Sequence, residues 1–331
     1  MNAPINAIAS PINPAPARKL PEISGSLAVE PDDSFVQTPG VAEITERALT
    51  YLDANYPVHL SGPAGTGKTT LAFHVAAIRG RPVSLVHGND AFGGSDLIGK
   101  DSGYKKSTVV DNFIHSVVKT QETLDVNWSD NRVTIACERG HTLIYDEFNR
   151  SKAEANNVLL SILEEGILSV PGRGAGYIRV HPEFRLLLTS NPDEYAGVHR
   201  TQDALSDRLI TVRTGHYDAD TESRIVENAA IVDEATAKSC VAIVRSLRGE
   251  HGNNPRPTIR AAIALARVTA HAGIGILADN EIFCQMAWDI LGPDAEVALN
   301  RGNPISETVF REHLARVLET PAAHTRRRTS P

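Results

Sequence analysis

The sequence has few cysteines, no long apolar run and no N-terminal signal pattern. Its three cysteines, Cys137, Cys240 and Cys284, are odd in number and widely spaced, which fits neither a disulfide framework nor a zinc site. We therefore expect a reducing, cytoplasmic environment. No apolar run approaches the ~18 residues of a membrane-spanning helix, and the first residues lack the charged-then-apolar order of a signal peptide. The sequence thus predicts a protein without a membrane span.

The sequence also lacks an excess of positive charge and is poor in tryptophan. The formal net charge is −7, the isoelectric point is near 6.0, and there are two tryptophans. Proteins that track a nucleic-acid backbone usually carry a basic face and aromatic residues that stack on bases, so the composition argues against nucleic acid as a partner. The remaining composition, 331 residues with 41% hydrophobic and 22% charged, predicts a globular protein with room for two domains.

What is present is a glycine-rich loop between a short β-prone run and a helical run. Residues 62–69 read G-P-A-G-T-G-K-T and match the phosphate-binding pattern G-x-x-x-x-G-K-[ST]. Its glycines let backbone N–H groups converge on an anion at a helix N-terminus. The lysine would reach the β- and γ-phosphates, and the threonine hydroxyl would bind Mg²⁺. The predicted nucleotide-binding residues are Gly62, Pro63, Ala64, Gly65, Thr66, Gly67, Lys68 and Thr69.

A second motif is the acidic pair Asp146 and Glu147, which directly follows the apolar run Thr142–Tyr145. Beside a phosphate loop, the first carboxylate can hold Mg²⁺ and the second can polarise an attacking water. Acids also commonly cap strand ends, so the pairing with the loop carries this prediction. Asn191 follows another predicted core strand, where its amide could orient the same water or simply turn the chain.

The apolar pattern divides the chain into four segments. Residues 1–38 are rich in proline and predict a flexible arm. Residues 39–216 alternate strand-like and helix-like runs, as in an α/β fold with a parallel sheet flanked by helices. Residues 217–320 show helical spacing alone and predict a smaller all-helical domain. The basic tail, 321–331, is interpreted as a solvated end or as a docking segment for an acidic partner.

Three further features are predicted within the α/β segment. Residues 167–180 form two short β-prone runs around a glycine-rich tip, which predicts a β-hairpin. Residues 88–110 are rich in Gly, Asp, Ser and Lys and predict a surface loop. Residues 111–124 have apolar residues at helical spacing and predict a helix.

Together these features resemble the AAA+ ATPases, a class of P-loop NTPases with a helical lid domain. The hairpin and the run D-E-F-N-R at 146–150 look like the MoxR branch of that class. Longer strings resemble the gas-vesicle protein N family within it, densely over residues 40–215 and loosely over the helical domain. These strings are F-G-G-S-D-L-I-G (92–99), V-D-N-F-I-H-S (110–116), D-E-F-N-R-S-K-A-E-A-N-N-V-L-L (146–160) and T-S-N-P-D-E-Y-A-G-V-H (189–199).

The resemblance implies a role for each matching residue. Residues 62–69 would be the Walker A loop, and Asp146 with Glu147 the Walker B pair. Asn191 would be sensor 1, the polar side chain next to the γ-phosphate. These roles agree with the interpretation of the residues themselves.

Two arginine roles follow from the resemblance alone. Arg208 would be the arginine finger, and Arg260 would be the sensor 2 arginine. Arg256 lies close to Arg260 in the sequence and could serve in its place. As ordinary surface charges, Arg208 could instead pair with a nearby acid and Arg260 could lie on an exposed helix face.

The implied function is an ATPase that uses ATP and Mg²⁺, forms a homo-oligomeric ring or partial ring, and acts as an assembly chaperone on other gas-vesicle proteins. It would work in the cytoplasm, associated with the gas vesicle. Two alternatives share the same motifs and stay open. One is a MoxR-type chaperone that activates a metalloenzyme or rubisco, and the other is a nucleotide-gated structural adaptor with little turnover.

Overall fold

The computed structural model describes residues 26–32, 34–111, 119–170, 176–192, 203–248 and 256–319. The α/β segment contains nine strands, seven α-helices and one short 3₁₀ turn within those residues. In chain order they are α1 Pro39–Asp53, β1 Val58–Ser61, α2 Lys68–Ile78, β2 Val83–His87, α3 Gly94–Ile98, β3 Gly99–Asp111, β4 Lys119–Asp130, α4 Arg132–Arg139, β5 Thr142–Asp146, the 3₁₀ turn Phe148–Arg150, α5 Ala153–Asn156, α6 Val158–Glu164, β6 Ile167–Ser169, β7 Tyr177–Arg179, β8 Arg185–Ser190, α7 Asp203–Ser206 and β9 Ile210–Arg213.

Five of these strands form one parallel sheet in the order β2-β5-β8-β1-β9. The register places Ser61 beside Ser190 and His87 beside Asp146, so the carboxyl ends of four strands lie along one edge. The segments that follow these ends carry the phosphate loop, Glu147 and Asn191. The predicted parallel sheet flanked by helices is confirmed, and it gathers the candidate residues at one edge.

The sheet is buried on both faces, which explains the continuous apolar run in β5, where all five residues are buried. Successive side chains point to opposite faces. Leu143 and Tyr145 pack in the hydrophobic cluster that includes residues of α4 and α6. Ile144 packs in the cluster that includes residues of α1 and α2. The strand therefore ends in Asp146 with its backbone fixed from both sides.

The region between β2 and α4 differs from the prediction of a loop at 88–110 and a helix at 111–124. β3 and β4 form an antiparallel two-stranded sheet in which Gly99 pairs with Asp130 and Asp111 with Lys119. The helix prediction is wrong for residues 119–124, which lie in β4; residues 112–118 are outside the described part. Local spacing does not report pairing between residues this far apart in sequence. The short hairpin predicted within 167–180 is present as β6 and β7, and its tip, 171–175, also lies outside.

The described part of the predicted arm lies against the core. Leu27 forms an antiparallel bridge with Val83 of the edge strand β2, with N···O distances of 2.7 and 2.9 Å. The ring of Phe35 stacks on that of His74 in α2 with centroids 3.7 Å apart. Over these residues the structure thus differs from a flexible arm, because Leu27 pairs with the edge strand β2 and Phe35 stacks on the ring of His74. Residues 1–25 and Asp33 lie outside the described part.

The C-terminal region is helical, as predicted, with α8 Ala219–Ala230, α9 Glu234–Arg248, α10 Ile259–Ala272, α11 Glu281–Asn300 and α12 Glu307–Glu319. The five helices share one hydrophobic core. α11 continues beyond the predicted end at Leu291, through Pro293, because Leu291 and Ala295 are buried in that core. No helix in the described ranges has the length and apolar character that crossing a membrane requires. The basic tail is outside these ranges.

Candidate functional site

The phosphate loop connects β1 to α2, and its glycines are required by its geometry. Gly65 and Gly67 have φ angles of 73° and 77°, a region that side chains with a Cβ rarely adopt. A Cβ on Gly62 would lie 2.1 Å from the carbonyl oxygen of Thr214, and one on Gly65 would lie 2.6 Å from Cβ of Thr258. α2 begins at Lys68, so the loop leads into a helix N-terminus, where anions are favoured.

Lys68 is buried and folded over its own loop. Its Nζ donates hydrogen bonds to the carbonyl oxygens of Gly62, at 2.8 Å, and Pro63, at 2.6 Å. The ammonium group is therefore already positioned at the concave side of the loop by backbone acceptors. A phosphate placed there would meet a charged donor and a helix N-terminus together.

Asp146 joins the loop to the sheet edge. Its Oδ1 accepts hydrogen bonds from the hydroxyls of Thr69, at 2.7 Å, and Thr189 of β8, at 2.6 Å. Its Oδ2 lies 3.4 Å from Nδ1 of His87. The Thr69 hydroxyl and the Asp146 carboxylate are hard oxygen donors side by side, the kind that Mg²⁺ prefers. These two residues fit a magnesium site.

Glu147 follows directly in the left-handed region, with φ 52°, and its side chain turns toward Asn191. The Asn191 amide Nδ2 lies 3.4 Å from Glu147 Oε1, and Arg150 Nε lies 2.7 Å from Glu147 Oε2. The Glu147 backbone N–H donates to the Thr189 hydroxyl at 2.9 Å. The carboxylate is thus held from both sides, and the predicted acid and amide are brought together.

These groups line one cavity of about 480 Å³ between the α/β and helical regions. That volume lies in the range typical of small-molecule sites. The phosphate-loop side is lined by Lys68, Thr69, Glu147 and Asn191, and the opposite wall includes Arg260 at the start of α10. The cavity therefore contains the predicted loop, the second acid, the amide and one of the two candidate sensor arginines.

The two alternatives for sensor 2 are separated by position. Arg260 lines the cavity, whereas Arg256 does not. The positive charge of Arg256 instead acts on Asp294 in α11, where it opposes the rise in pKa that burial causes in that carboxyl. Of the two arginines, Arg260 is therefore the one that lines the cavity.

Arg208 lies away from its own cavity. It precedes β9, whose first residue Ile210 pairs with Val58 at the start of β1, so it lies at the sheet edge opposite the phosphate loop. Its guanidinium pairs with Glu164 of α6 and donates to the carbonyl oxygen of Ala204. Arg208 is therefore not among the residues that line the cavity of its own chain.

The sequence prediction missed several residues that shape the site. Thr189 contacts both acids, and Arg150 contacts Glu147. Phe35, Val36 and Tyr217 also line the cavity. Arg150 and Thr189 each lie within strings quoted for the resemblance, which was the available signal. The other three have no local motif, since only the fold brings them to the cavity.

Below the site, His59 of β1 connects two neighbouring strands. Its Nε2 lies 2.8 Å from the hydroxyl oxygen of Ser190 in β8, and its Nδ1 lies 3.1 Å from that of Thr211 in β9. Burial lowers the pKa of His59 to about 4. The ring is therefore neutral at pH 7 and exchanges hydrogen bonds with two hydroxyls, one of which belongs to Ser190, the residue before Asn191.

We expect this histidine to make the folded state sensitive to acid. Because its folded pKa is below the unfolded value, the unfolded chain takes up a proton below about pH 6.5 that the folded chain does not, so the free energy of unfolding falls as pH falls. For His59 the loss between pH 7 and pH 5 is about 2 kcal/mol. Urea unfolding of wild type and His59→Asn at both pH values should show a loss smaller by that amount in the variant. Equal losses would contradict the assignment.

Comparisons with known proteins agree with this geometry. The model of an AAA domain of the dynein-related subfamily matches residues 57–209. The gas vesicle ATPase GvpN of Ancylobacter aquaticus is 46% identical over 268 residues, covering 80% of this chain and 75% of that protein. The gas vesicle ATPase GvpN2 of Halobacterium salinarum is 46% identical over 226 residues, covering 68% of this chain and 66% of that protein.

A solved structure supports the fold alone. A mutant of RuvB from Thermotoga maritima has a TM-score of 0.51 and 18% identity, covering 87% of this chain and 86% of that chain. The family model and the two GvpN relatives confirm the resemblance to AAA+ ATPases and to the gas-vesicle protein N family. The chain belongs to the gas vesicle ATPase GvpN family and is an AAA+ ATPase.

Proposed function

We propose that this ATPase hydrolyses ATP with Mg²⁺ to remodel other gas-vesicle proteins during assembly of the vesicle, working in the cytoplasm as a ring or partial ring. Family membership supports the link to gas vesicles. The main support for ATP hydrolysis is that the phosphate loop, Asp146, Glu147 and Asn191 lie together at one edge of the sheet.

In this proposal the phosphate loop binds and orients ATP. Lys68 exchanges its backbone acceptors for the β- and γ-phosphates, and the α2 N-terminus adds its partial positive charge. Thr69 and Asp146 would hold Mg²⁺, which would offset charge on the phosphates. Arg260 approaches the γ-phosphate from the helical side of the cavity.

Glu147 accepts a proton from the attacking water as the water adds to the γ-phosphorus. Asn191 holds that carboxylate by its amide and also lines the cavity, so it would help to orient the water. The bond from the γ-phosphorus to the bridging oxygen breaks, leaving ADP and phosphate. Positioning and charge stabilisation supply most of the rate in such reactions.

Arg208 completes the site of a neighbouring subunit. It lies at the sheet edge away from its own loop and remains partly exposed. A head-to-tail contact would bring it to the next nucleotide, and repeated contacts of this kind form rings or open helices. The proposed oligomer rests on this separation between Arg208 and its own site.

The assembly role is tested in cells that carry the other gas-vesicle genes and a replaced copy of this one. Glu147→Gln should abolish flotation and gas-vesicle light scattering, whereas the same change at the exposed Glu46 should leave both intact. Vesicles formed normally with Glu147→Gln would reject a motor role and favour a nucleotide-gated adaptor.

A further inference from the structure

A buried ion-pair cluster lies in the helical domain behind the nucleotide cavity. Glu222, in the first turn of α8, has a side chain only 2% exposed. Its Oε1 lies 2.6 Å from Nη1 of Arg248, and its Oε2 lies 3.1 Å from Nη1 of Arg245, both in α9. A buried carboxylate is costly unless it is paired and hydrogen-bonded. The two arginines meet that requirement, but they differ in their other contacts.

Arg248 reaches the turn that leads into α10. Its Nε donates to the carbonyl oxygen of Pro257 at 2.7 Å, while its Nη1 stays on Glu222. Arg245 instead donates to the carbonyl oxygen of Tyr217, at 3.0 Å, and its side chain is 39% exposed. Of these two arginines, Arg248 is therefore the one that links the buried carboxylate to the segment that carries Arg260.

That turn contacts the phosphate loop directly. Thr258, next after Pro257, lies so close to Gly65 that a Cβ on the glycine would be 2.6 Å from Cβ of Thr258. Two residues further on, Arg260 lines the cavity. A movement of the Pro257 carbonyl would therefore move both the group against the loop and the arginine on the cavity wall.

We propose that Arg248, held by Glu222, is a positioning residue for ATP hydrolysis: it fixes the turn at Pro257 and Thr258 so that Arg260 faces the γ-phosphate. This inference rests on the proposed role of Arg260. An arginine is needed because its planar guanidinium presents Nε and Nη1 in fixed, separate directions. A lysine keeps the charge but cannot hold both acceptors with that geometry.

The test is a double-mutant cycle on the full chain. Arg248→Lys should lower kcat about tenfold with little change in KM for ATP, since a displaced arginine costs rate rather than loop binding. Arg245→Lys is the matched control, because it changes the same carboxylate's other partner and leaves Pro257 untouched; its kcat should stay near wild type. In an Arg260→Ala background, Arg248→Lys should cause little further loss, because coupled residues are not additive.

Several results would overturn the proposal. Additive losses for Arg248→Lys and Arg260→Ala, or equal losses for Arg248→Lys and Arg245→Lys, would leave the cluster a merely structural feature. An unchanged kcat in Arg260→Ala would also reject it, while continued hydrolysis by wild type would leave the proposed ATPase site intact. If circular dichroism shows that Arg248→Lys does not fold, Glu222→Gln replaces it, because the amide keeps the shape of the side chain and one acceptor for Arg248. The losses of kcat in Glu222→Gln and Arg260→Ala should then also be non-additive. Additive losses would reject the proposal.

Discussion

Glu147→Gln should bind ATP and hold it, with phosphate release at least about a hundredfold below wild type. The glutamine keeps the size of the side chain and an oxygen for the Asn191 amide, but it cannot accept the proton of the attacking water. Lys68 still donates to backbone carbonyl oxygens and Thr69 still donates to Asp146 after this change, so binding should survive. The loss therefore falls on the chemical step.

Titration calorimetry with ATP and a phosphate-release assay separate the two quantities. Glu46→Gln, the same substitution on the exposed face of α1, is the control and should match wild type in both. Hydrolysis at the wild-type rate in Glu147→Gln would mean that this acid only caps the end of β5, as acids after apolar strands commonly do. The catalytic carboxylate would then have to be another residue.

A mixture of Lys68→Ala and Arg208→Ala proteins should hydrolyse ATP although each alone is inactive. Arginine fingers contribute on the order of 10³–10⁵ in rate in other nucleotide hydrolases, so Arg208→Ala alone should lose nearly all activity. In a mixed oligomer, an intact loop from the Arg208 variant can face an intact finger from the Lys68 variant. Recovery of activity would therefore show that Arg208 of one subunit acts on the nucleotide bound by its neighbour.

The control for this mixture replaces an exposed arginine of the helical domain. Arg224 pairs with Asp220 one helical turn away, and its side chain is 60% exposed, so Arg224→Ala should keep wild-type activity. If the two inactive proteins stay inactive when mixed, at concentrations where wild type associates, Arg208 is an ordinary surface charge paired with Glu164. The ring model would then be dropped.

The phosphate loop and the acidic pair were predictable because each is a local pattern with a geometric cause. Gly65 and Gly67 have positive φ angles, which favour glycine. A strand that is buried on both faces, such as β5, is apolar along its length up to the sheet edge where the ligand would bind. The parallel sheet followed from the same alternation of strand and helix. These features depend on short stretches of chain, so the sequence alone predicts them.

The aromatic residues that line the cavity were not predictable in the same way. Phe35 comes from a proline-rich arm and Tyr217 from the connection to the helical domain, and neither has a motif. The pairing of β3 with β4 was also missed, because apolar spacing in a short window does not report partners across a hairpin. The sequence alone also could not separate Arg256 from Arg260, because Arg256 lies just before α10 and Arg260 lies in its first turn. The difference between them is that Arg260 lines the cavity.

The proposed function depends on turnover of ATP at the site formed by the loop, Asp146 and Glu147. The direct measurement is phosphate release from ATP with Mg²⁺ by the purified full chain over a range of protein concentrations, with Lys68→Ala as the background. We expect release well above that background and a specific activity that rises as subunits associate. Release no greater than that of Lys68→Ala, even with the other gas-vesicle proteins present, would contradict the proposed function.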